Sequence, residues 1–256
     1  MSKLRRVMPA LAVLSATGLI LTGCESTSES DSQAGGEGGT ITVCANSPYP
    51  PFEFERDGEV VGFDMALADE IAKDLGKEKE FIQANFETLE SGAALDTDQC
   101  EMVISGMGIT DERKASMDFS EPYFNDEIGL LTTKDSGITS FDSIGDASVG
   151  AQQATSGEKY AEEKGATIQQ FEDVELMFQS LETGGVKAVS GNISTLGNRA
   201  NENEDLEIVE TVDTGENLGV AVKKGNTELL DSVNKTLDRL NEDGTMDKMR
   251  EEWIGL

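Results

Sequence analysis

The segment EMVISGMGITDER, residues 101–113, shows the pattern on which the fold prediction depends. Residues 101–105 form an apolar run typical of a buried strand, and small residues and then Arg113 follow it. Gly106 and Gly108 let the backbone approach another molecule closely and leave amide groups available. The planar fork of an arginine matches a carboxylate in a way that lysine cannot. In isolation, however, Arg113 is more simply interpreted as a surface residue paired with a neighbouring acid.

Strands and helices alternate on both sides of this segment. The predicted strands are residues 41–45, 80–84, 101–105, 127–133, 148–152, 167–171, 186–190, 206–210 and 218–224. The predicted helices are residues 64–75, 86–95, 156–163, 174–181 and 193–200, and two more close the sequence. Asp57-Gly58 predicts a hairpin, and Asp64 is expected to cap the helix that follows it. Two successive βαβαβ units predict an α/β protein of two lobes with mainly parallel sheets.

The predicted lobes share one cleft. Strands 127–133 and 218–224 are natural crossings between the lobes, which assigns residues 40–126 and 219–256 to lobe 1 and residues 127–218 to lobe 2. Ligands of such sheets bind beyond the carboxyl ends of the strands. A hinge of two strands would place both sets of strand ends in one cleft.

Four stretches follow strands at these ends. The first is NSPYPPF, residues 46–52, whose prolines hold Tyr49 and Phe52 as a rigid wall, although either ring could instead belong to the core. The second is SGMGITDER, residues 105–113, which contains Arg113. The third places Thr155 and Ser156 where a helix begins, a position that binds anions or is simply capped.

The fourth stretch is SGN, residues 190–192. Asn192 lies where a side chain could enter the cleft, and the alternative is a turn residue.

Five motifs together resemble the extracellular polar amino-acid-binding proteins of ABC importers, solute-binding protein family 3. They are YPPFEF, VVGFDMALADEIAKDLG, MVISGMGITDERKASMDFSEPYF, VGAQQATSGEKYA and NKTLDRLNEDGTMDKMREEWIG. Their order and spacing cover residues 40–256. The resemblance implies a two-lobed, periplasmic-binding-protein-like type II fold that closes on one ligand by hinge motion.

The resemblance also implies roles for individual residues. Arg113 would clamp the ligand carboxylate, assisted by backbone amides around Gly108 and at Thr155 and Ser156. Tyr49 would pack on the ligand. The remaining implied contacts are the wall position Phe86 and the polar atoms of Ser105 and Gly106.

This sequence departs from the family pattern at three positions. Gly108 replaces a usual hydroxyl residue, and Asn192 replaces the aspartate that pairs with the ligand α-ammonium. Asn46 stands where an aspartate is frequent, which should disfavour basic ligand side chains. The hypothesis that follows is that another acid, Glu216 being the nearest candidate in sequence, replaces the missing charge, or that the ligand has no free α-ammonium.

The amino terminus predicts secretion and lipid anchoring. Residues 1–23 resemble a lipoprotein signal peptide, with a basic start, an apolar run and small residues before Cys24. An ordinary secretory signal is the alternative. Residues 24–39 would then be a lipidated cysteine followed by a flexible acidic linker. We therefore expect the protein at the cell surface, anchored to the outer face of the cytoplasmic membrane.

Composition excludes several kinds of partner and site. The chain has 50 acidic and 20 basic residues and no histidine, which disfavours nucleic acid and a metal centre. No cofactor is expected, and we expect a monomer.

Cys44 and Cys100 could form a disulfide, but they are predicted late in one strand and early in another. If those strands are parallel neighbours, we expect their Cα atoms to lie too far apart.

We therefore predict a non-enzymatic receptor that delivers a small carboxylate ligand, most simply a polar, non-basic amino acid or derivative, to an ABC permease. One alternative is a cyclohexadienyl-dehydratase-like enzyme on the same fold, with Glu158 or Glu216 as the catalytic glutamate. Product formation from prephenate or arogenate would identify it. A sensor or adhesin module is a further alternative.

Overall fold

The structure is a computed structural model that describes residues 38–255. The strands are β1 Thr40–Ala45, β2 Phe54–Arg56, β3 Glu59–Val61, β4 Glu78–Gln83, β5 Met102–Val103, β6 Met117–Phe119, β7 Phe124–Thr133, β8 Ser148–Gln152, β9 Thr167–Phe171, β10 Ala188–Asn192, β11 Leu206–Leu218 and β12 Ala221–Lys223. The helices are α1 Phe63–Asp74, α2 Phe86–Glu90, α3 Ala93–Asp96, α4 Asp111–Ser116, α5 Ser156–Glu163, α6 Val174–Glu182, α7 Ile193–Glu202, α8 Thr227–Glu242 and α9 Thr245–Trp253.

Two five-stranded sheets organise these elements. The first has the order β4-β1-β5-β12-β6 and the second the order β11-β7-β10-β8-β9, while β2 and β3 form the predicted hairpin. Strands β1, β4 and β5 are parallel, as are β8, β9 and β10, and β7, β11 and β12 pair antiparallel to their neighbours. We call the elements around the first sheet the first lobe and those around the second sheet the second lobe. The predicted two-lobed α/β class is confirmed.

The chain changes sheet twice, at adjacent places. It leaves the first sheet between β6 and β7 and returns between β11 and β12, and Leu218 of β11 pairs with Phe124 of β7. The single strand predicted over 218–224 is therefore wrong, because Gly219 and Val220 separate two strands of different sheets. The Gly219 amide donates instead to the Met107 carbonyl at 3.1 Å. The predicted lobe limits at 126 and 219 remain predictions.

Several helices differ from the sequence-based expectation. The helix predicted over 86–95 is two short helices, because Gly92 adopts a left-handed conformation at φ 82°. Helix α4 was not predicted, and its N-cap is Thr110, whose hydroxyl accepts from the Arg113 amide. Asp64 does not cap α1, which begins after Gly62; the Asp64 side chain contacts the loop after β5 instead.

The last two helices cover the first lobe. Val233, Leu237 and Leu240 of α8 and Met246 of α9 are fully buried or nearly so, as their helical spacing predicts. Helix α8 packs on α1 and α9, so the end of the chain joins the core of the first lobe.

Cys44 and Cys100 form a disulfide, with their Cα atoms 5.7 Å apart. The expectation of too large a separation was wrong because β5 begins only at Met102. Cys100 therefore lies in the connection between α3 and β5, outside the strand, and its Cα can approach β1.

The signal peptide, Cys24 and most of the linker lie outside the described residues. Among residues 38–255, every helix is too short or too polar to cross a membrane.

We predict that the Cys44→Ala/Cys100→Ala variant has a free energy of unfolding roughly 2–4 kcal/mol lower than the native protein, because the bridge closes a loop between residues 56 positions apart. Urea denaturation monitored by far-UV circular dichroism measures the loss. Reductant should reproduce it in the native protein and leave the variant unchanged. Identical stability of the two proteins would contradict the prediction.

Candidate ligand-binding site

Two hydrogen bonds join the lobes near the predicted site. The Tyr49 hydroxyl donates to Asn192 Oδ1 at 2.9 Å, and Gln152 Nε2 donates to Asn46 Oδ1 at 2.7 Å. The cavity beside them measures about 10 Å³ and is lined by residues that include Tyr49, Gln152, Thr155, Asn192 and Thr195. A space of this size holds at most about one water molecule, so the lobes are closed over the inner part of the site.

A more open depression of about 310 Å³ lies over the outer part of the site. Arg113, Thr155 and Ser156 line it together with Glu90 and Glu158. A larger cavity of about 750 Å³ is lined by other residues of the second lobe, among them Lys134 and Glu182. That larger cavity contains none of the predicted site residues, so we place the candidate site at the depression between the lobes.

Arg113 lies between the two lobes rather than on the outer surface. Its Nη1 donates to the Gly108 carbonyl at 2.9 Å, and its Nη2 donates to the Ala154 carbonyl at 2.8 Å. Only 5% of the residue is exposed. Burial lowers the pKa of Arg113, and the acids Glu90 and Glu216 oppose that shift. The surface interpretation of this arginine is therefore wrong.

The three rings predicted at the wall are all buried. Phe86 packs against the Arg113 guanidinium, whose Cζ lies 5.3 Å from the ring centroid. Tyr49 stacks on Phe52 with the centroids 5.9 Å apart, but it keeps its hydroxyl at the boundary between the lobes. Phe52 is fully buried in the core.

Ser105 and Gly106 direct their polar groups away from the cleft. The Ser105 hydroxyl accepts from the Asn46 amide at 2.9 Å and donates to Glu53 Oε1 at 2.6 Å. The Gly106 amide, predicted to be available, donates to Asp64 Oδ2 at 2.6 Å. Two buried carboxylates thus hold the turn that the sequence places at the ligand.

The loop after β8 is shaped by its own hydrogen bonds. Thr155 is the N-cap of α5: its hydroxyl accepts from the Glu158 amide and donates to the Gln152 carbonyl at 2.7 Å. The buried Glu158 carboxylate accepts from the Ala154 amide and from Gln170 Nε2, each at 2.6 Å. Glu158 therefore fixes the loop that presents the Ala154 carbonyl to Arg113.

Glu216 occupies the region between Gly108, Ser156 and Asn192. Its Oε1 accepts from the Ser156 hydroxyl, and its Oε2 accepts from Asn192 Nδ2 at 2.7 Å. A Cβ on Gly108 would overlap Glu216 Oε1 and lie 2.9 Å from Glu216 Cδ. The glycine that departs from the family pattern therefore makes room for this carboxylate beside Asn192.

Asp126 is a second acid at this place, and the sequence reasoning missed it. It lies opposite Glu216 in the antiparallel pairing of β7 and β11. Its Oδ1 accepts from the Ser194 amide at 3.3 Å, while its buried Oδ2 has no hydrogen-bond partner within residues 38–255. Burial raises the pKa of Asp126 to about 6. Its position was the signal that could have revealed it, because Asp126 directly precedes one predicted hinge strand and Glu216 precedes the other.

The structure thus brings Arg113, Gly108, Ser156, Asn192 and Tyr49 to one cleft. Ser105, Gly106, Asn46 and the Thr155 hydroxyl lie beside it but are engaged with protein groups. The contacts of all these residues with a ligand remain predictions.

The fold and this cleft define a two-lobed binding protein that encloses a small molecule at the junction of its sheets. The sequence profile of the bacterial extracellular solute-binding proteins, family 3, matches residues 41–256. This chain belongs to that family.

Named relatives include amino-acid-binding proteins. The L-cystine-binding protein TcyJ of Escherichia coli (strain K12) is 30% identical over 225 residues, which cover 86% of this chain and 84% of that protein. The ABC transporter glutamine-binding protein GlnH of Bacillus subtilis (strain 168) is 33% identical over 204 residues, which cover 77% and 74%. An ancestral arginine-binding protein solved with glutamine superposes with a TM-score of 0.80 at 35% identity, covering 85% of this chain and 98% of that one.

We predict that Gly108→Ala lowers the free energy of unfolding by about 1 kcal/mol, because the added methyl displaces the Glu216 carboxylate from Ser156 and Asn192. In a Glu216→Ala background the same substitution should cost much less. A double-mutant cycle from urea denaturation measures this coupling. Additive effects of the two substitutions would contradict the placement of Glu216.

Proposed function

We propose that this protein captures a small amino acid between its lobes and presents it to an ABC permease. The observation that carries the proposal is the placement of Arg113 and Glu216, two groups of opposite charge, in one cleft between the lobes. A zwitterion needs such a pair. The names of the relatives, which are binding proteins for cystine and glutamine, support the same class of ligand.

The carboxylate end of the ligand would lie at Arg113. A guanidinium has five N–H donors, and the carbonyls of Gly108 and Ala154 take only part of this capacity. Helix α5 begins at Ser156 beside the same depression, and the positive end of its dipole favours an anion.

The ammonium end would lie at Glu216. Its carboxylate is hydrogen-bonded to Asn192, the residue that stands where the family pattern has an aspartate, so the acid is adjacent to the lost charge. Asp126 lies opposite on β7, and its Oδ2 has no hydrogen-bond partner among residues 38–255. Of the two hypotheses from the sequence, we therefore favour replacement of the missing charge over a ligand without an ammonium.

The ligand side chain is proposed to be polar and not basic. Asn46 supplies no charge, and its amide is already bonded to the Ala84 carbonyl and to Gln152. A cationic side chain on the ligand would therefore have no carboxylate at residue 46 with which to pair.

We propose that the protein performs no chemistry. Glu158, one candidate for a catalytic acid, is bonded to the Ala154 amide and to Gln170, and its role is accounted for by the loop that it holds. The protein is proposed to act as a monomer.

Calorimetry should show that the native protein binds its amino acid, identified by a thermal-shift screen, at least about tenfold more tightly than the deamino analogue, because a hydrogen bond to a charged group contributes about 1.5–3 kcal/mol. Glu216→Gln should reduce that preference. Glu207→Gln is the matched control, an exposed acid on the same strand, and should leave it unchanged.

Equal affinity of the native protein for the amino acid and its deamino analogue would show that the ligand needs no ammonium. Thermal shifts with non-amino carboxylates only would refute the amino-acid assignment. Product from prephenate or arogenate would establish the enzymatic alternative.

The proposed location is the outer face of the cytoplasmic membrane, with the lipid on Cys24. Mass spectrometry of the mature amino-terminal peptide should show a chain that begins at Cys24 with a lipid on its sulfur. Cys24→Ser should abolish both the modification and cleavage at this position. An unmodified cysteine, or a different first residue, would exclude the anchor.

A further inference from the structure

Two carboxyl groups, Glu53 and Asp64, are fully buried in the first lobe beneath the turn of Ser105 and Gly106. Glu53 follows the proline-rich loop, and Asp64 lies in the first turn of α1. Each acid has one bonded oxygen and one, Glu53 Oε2 and Asp64 Oδ1, without a hydrogen-bond partner within residues 38–255. None of the ion pairs formed by residues 38–255 includes either acid.

Two carboxylates so placed cannot both remain ionised easily. Burial raises the pKa of Asp64 to about 7, and burial together with the charge of Asp64 raises the pKa of Glu53 well above its ordinary value. The other titratable groups that face the pair are Tyr49 and Tyr123, and burial raises the pKa of both, so they stay neutral. At least one of the two carboxyl groups is therefore favoured to stay protonated near neutral pH.

A first chain of hydrogen bonds runs from Glu53 into the second lobe. Glu53 accepts from the Ser105 hydroxyl at 2.6 Å, and that hydroxyl accepts from the Asn46 amide at 2.9 Å. The Asn46 side chain then accepts from Gln152 of the second lobe at 2.7 Å. The buried acid thus fixes the residue that makes one of the contacts between the lobes.

A second chain starts at Asp64, which accepts from the Gly106 amide at 2.6 Å and from the Tyr123 hydroxyl at 3.0 Å. Gly106 adopts φ 51°, and a Cβ on it would lie 2.8 Å from Tyr49 Cε1, so the turn packs directly on the Tyr49 ring. Tyr49 in turn donates to Asn192 of the second lobe. The hydrogen bond between Tyr49 and Asn192 therefore depends on the same pair of acids.

We propose that Glu53 and Asp64 act as positioning residues which, while at least one of them is protonated, hold the Ser105–Gly106 turn in the form that lets Asn46 and Tyr49 close the lobes. Loss of that proton leaves two buried charges and displaces the turn. Closure, and with it ligand affinity, is then lost. The affinity part of this inference rests on the proposed function, but the closure part does not.

The test compares the native protein with Glu53→Gln and Asp64→Asn, in which an amide replaces one carboxyl and the second charge cannot form. Glu55→Gln and Asp57→Asn are matched controls at exposed positions close to Glu53. Small-angle scattering of the ligand-free proteins from pH 5.5 to 8.5 reports closure. The native protein and the controls should expand as pH rises above about 7, whereas Glu53→Gln should stay compact.

Affinity for the amino acid found by the screen should follow closure. In the native protein, affinity should fall by at most about tenfold per pH unit once the second carboxyl group ionises, because that is the limit for loss of one proton. In Glu53→Gln, affinity should stay constant. Glu53→Leu, which leaves the Ser105 hydroxyl without its acceptor, should bind weakly even at pH 6. Tight binding by Glu53→Gln together with weak binding by Glu53→Leu would show that residue 53 acts by accepting the Ser105 hydrogen bond, and not merely by filling space.

Urea unfolding confirms that each variant is folded. Because the folded-state pKa of Asp64 lies above its ordinary value, its contribution to stability is present at acid pH and is lost as pH rises towards about 7. Asp64→Asn should flatten that fall and keep a cooperative transition.

Scattering and affinity profiles of Glu53→Gln that match the native profiles would overturn the proposal, as would a native protein that stays compact up to pH 8.5. Failure of the native protein to bind any amino acid, combined with the predicted change in closure, would refute the proposed function and leave this inference standing.

Discussion

A buried guanidinium must have hydrogen-bond acceptors around it, and in this protein the acceptors of Arg113 come from both lobes. The Gly108 carbonyl follows a strand of the first sheet and the Ala154 carbonyl follows a strand of the second. Leaving a charged donor unsatisfied in such a place costs several kcal/mol. The two loops therefore have to meet at Arg113 when the lobes close, and the backbone of each loop is held by other groups for that purpose.

Those supporting groups are acids. Glu158 holds the Ala154 amide, and Asp64 holds the Gly106 amide two residues before Gly108. Neither carboxylate forms an ion pair within the described part of the chain. They act as acceptors for backbone amides at turns of left-handed conformation, since Ala154 lies at φ 65° and Gly106 at φ 51°. In a protein with 50 acidic residues, most acids are solvated, but these few decide the geometry of the cleft.

The positions that depart from the family pattern have a common physical explanation. Asn192 lacks a charge, Gly108 lacks a side chain, and Glu216 fills the space and supplies a carboxylate beside the amide. These features are distant in sequence, so each looks like an isolated irregularity there. In three dimensions they are neighbours, because the absence of a side chain at Gly108 makes room for the Glu216 carboxylate, whose charge is opposite to that of Arg113.

By itself, the sequence determined the alternation of strands and helices, the two lobes and the importance of Arg113, because burial periodicity and the order of motifs are local properties of the chain. It did not determine the disulfide, the break at Gly219, or the inward orientation of Ser105 and the Gly106 amide. The acid pair of Glu53 and Asp64 and the pairing of Asp126 with Glu216 were also beyond it. Each of these depends on which distant segments become neighbours, and hydrogen bonds and buried charges act only over a few ångströms. Only the tertiary structure could therefore show which polar groups lie at the cleft and which hold the cleft in shape.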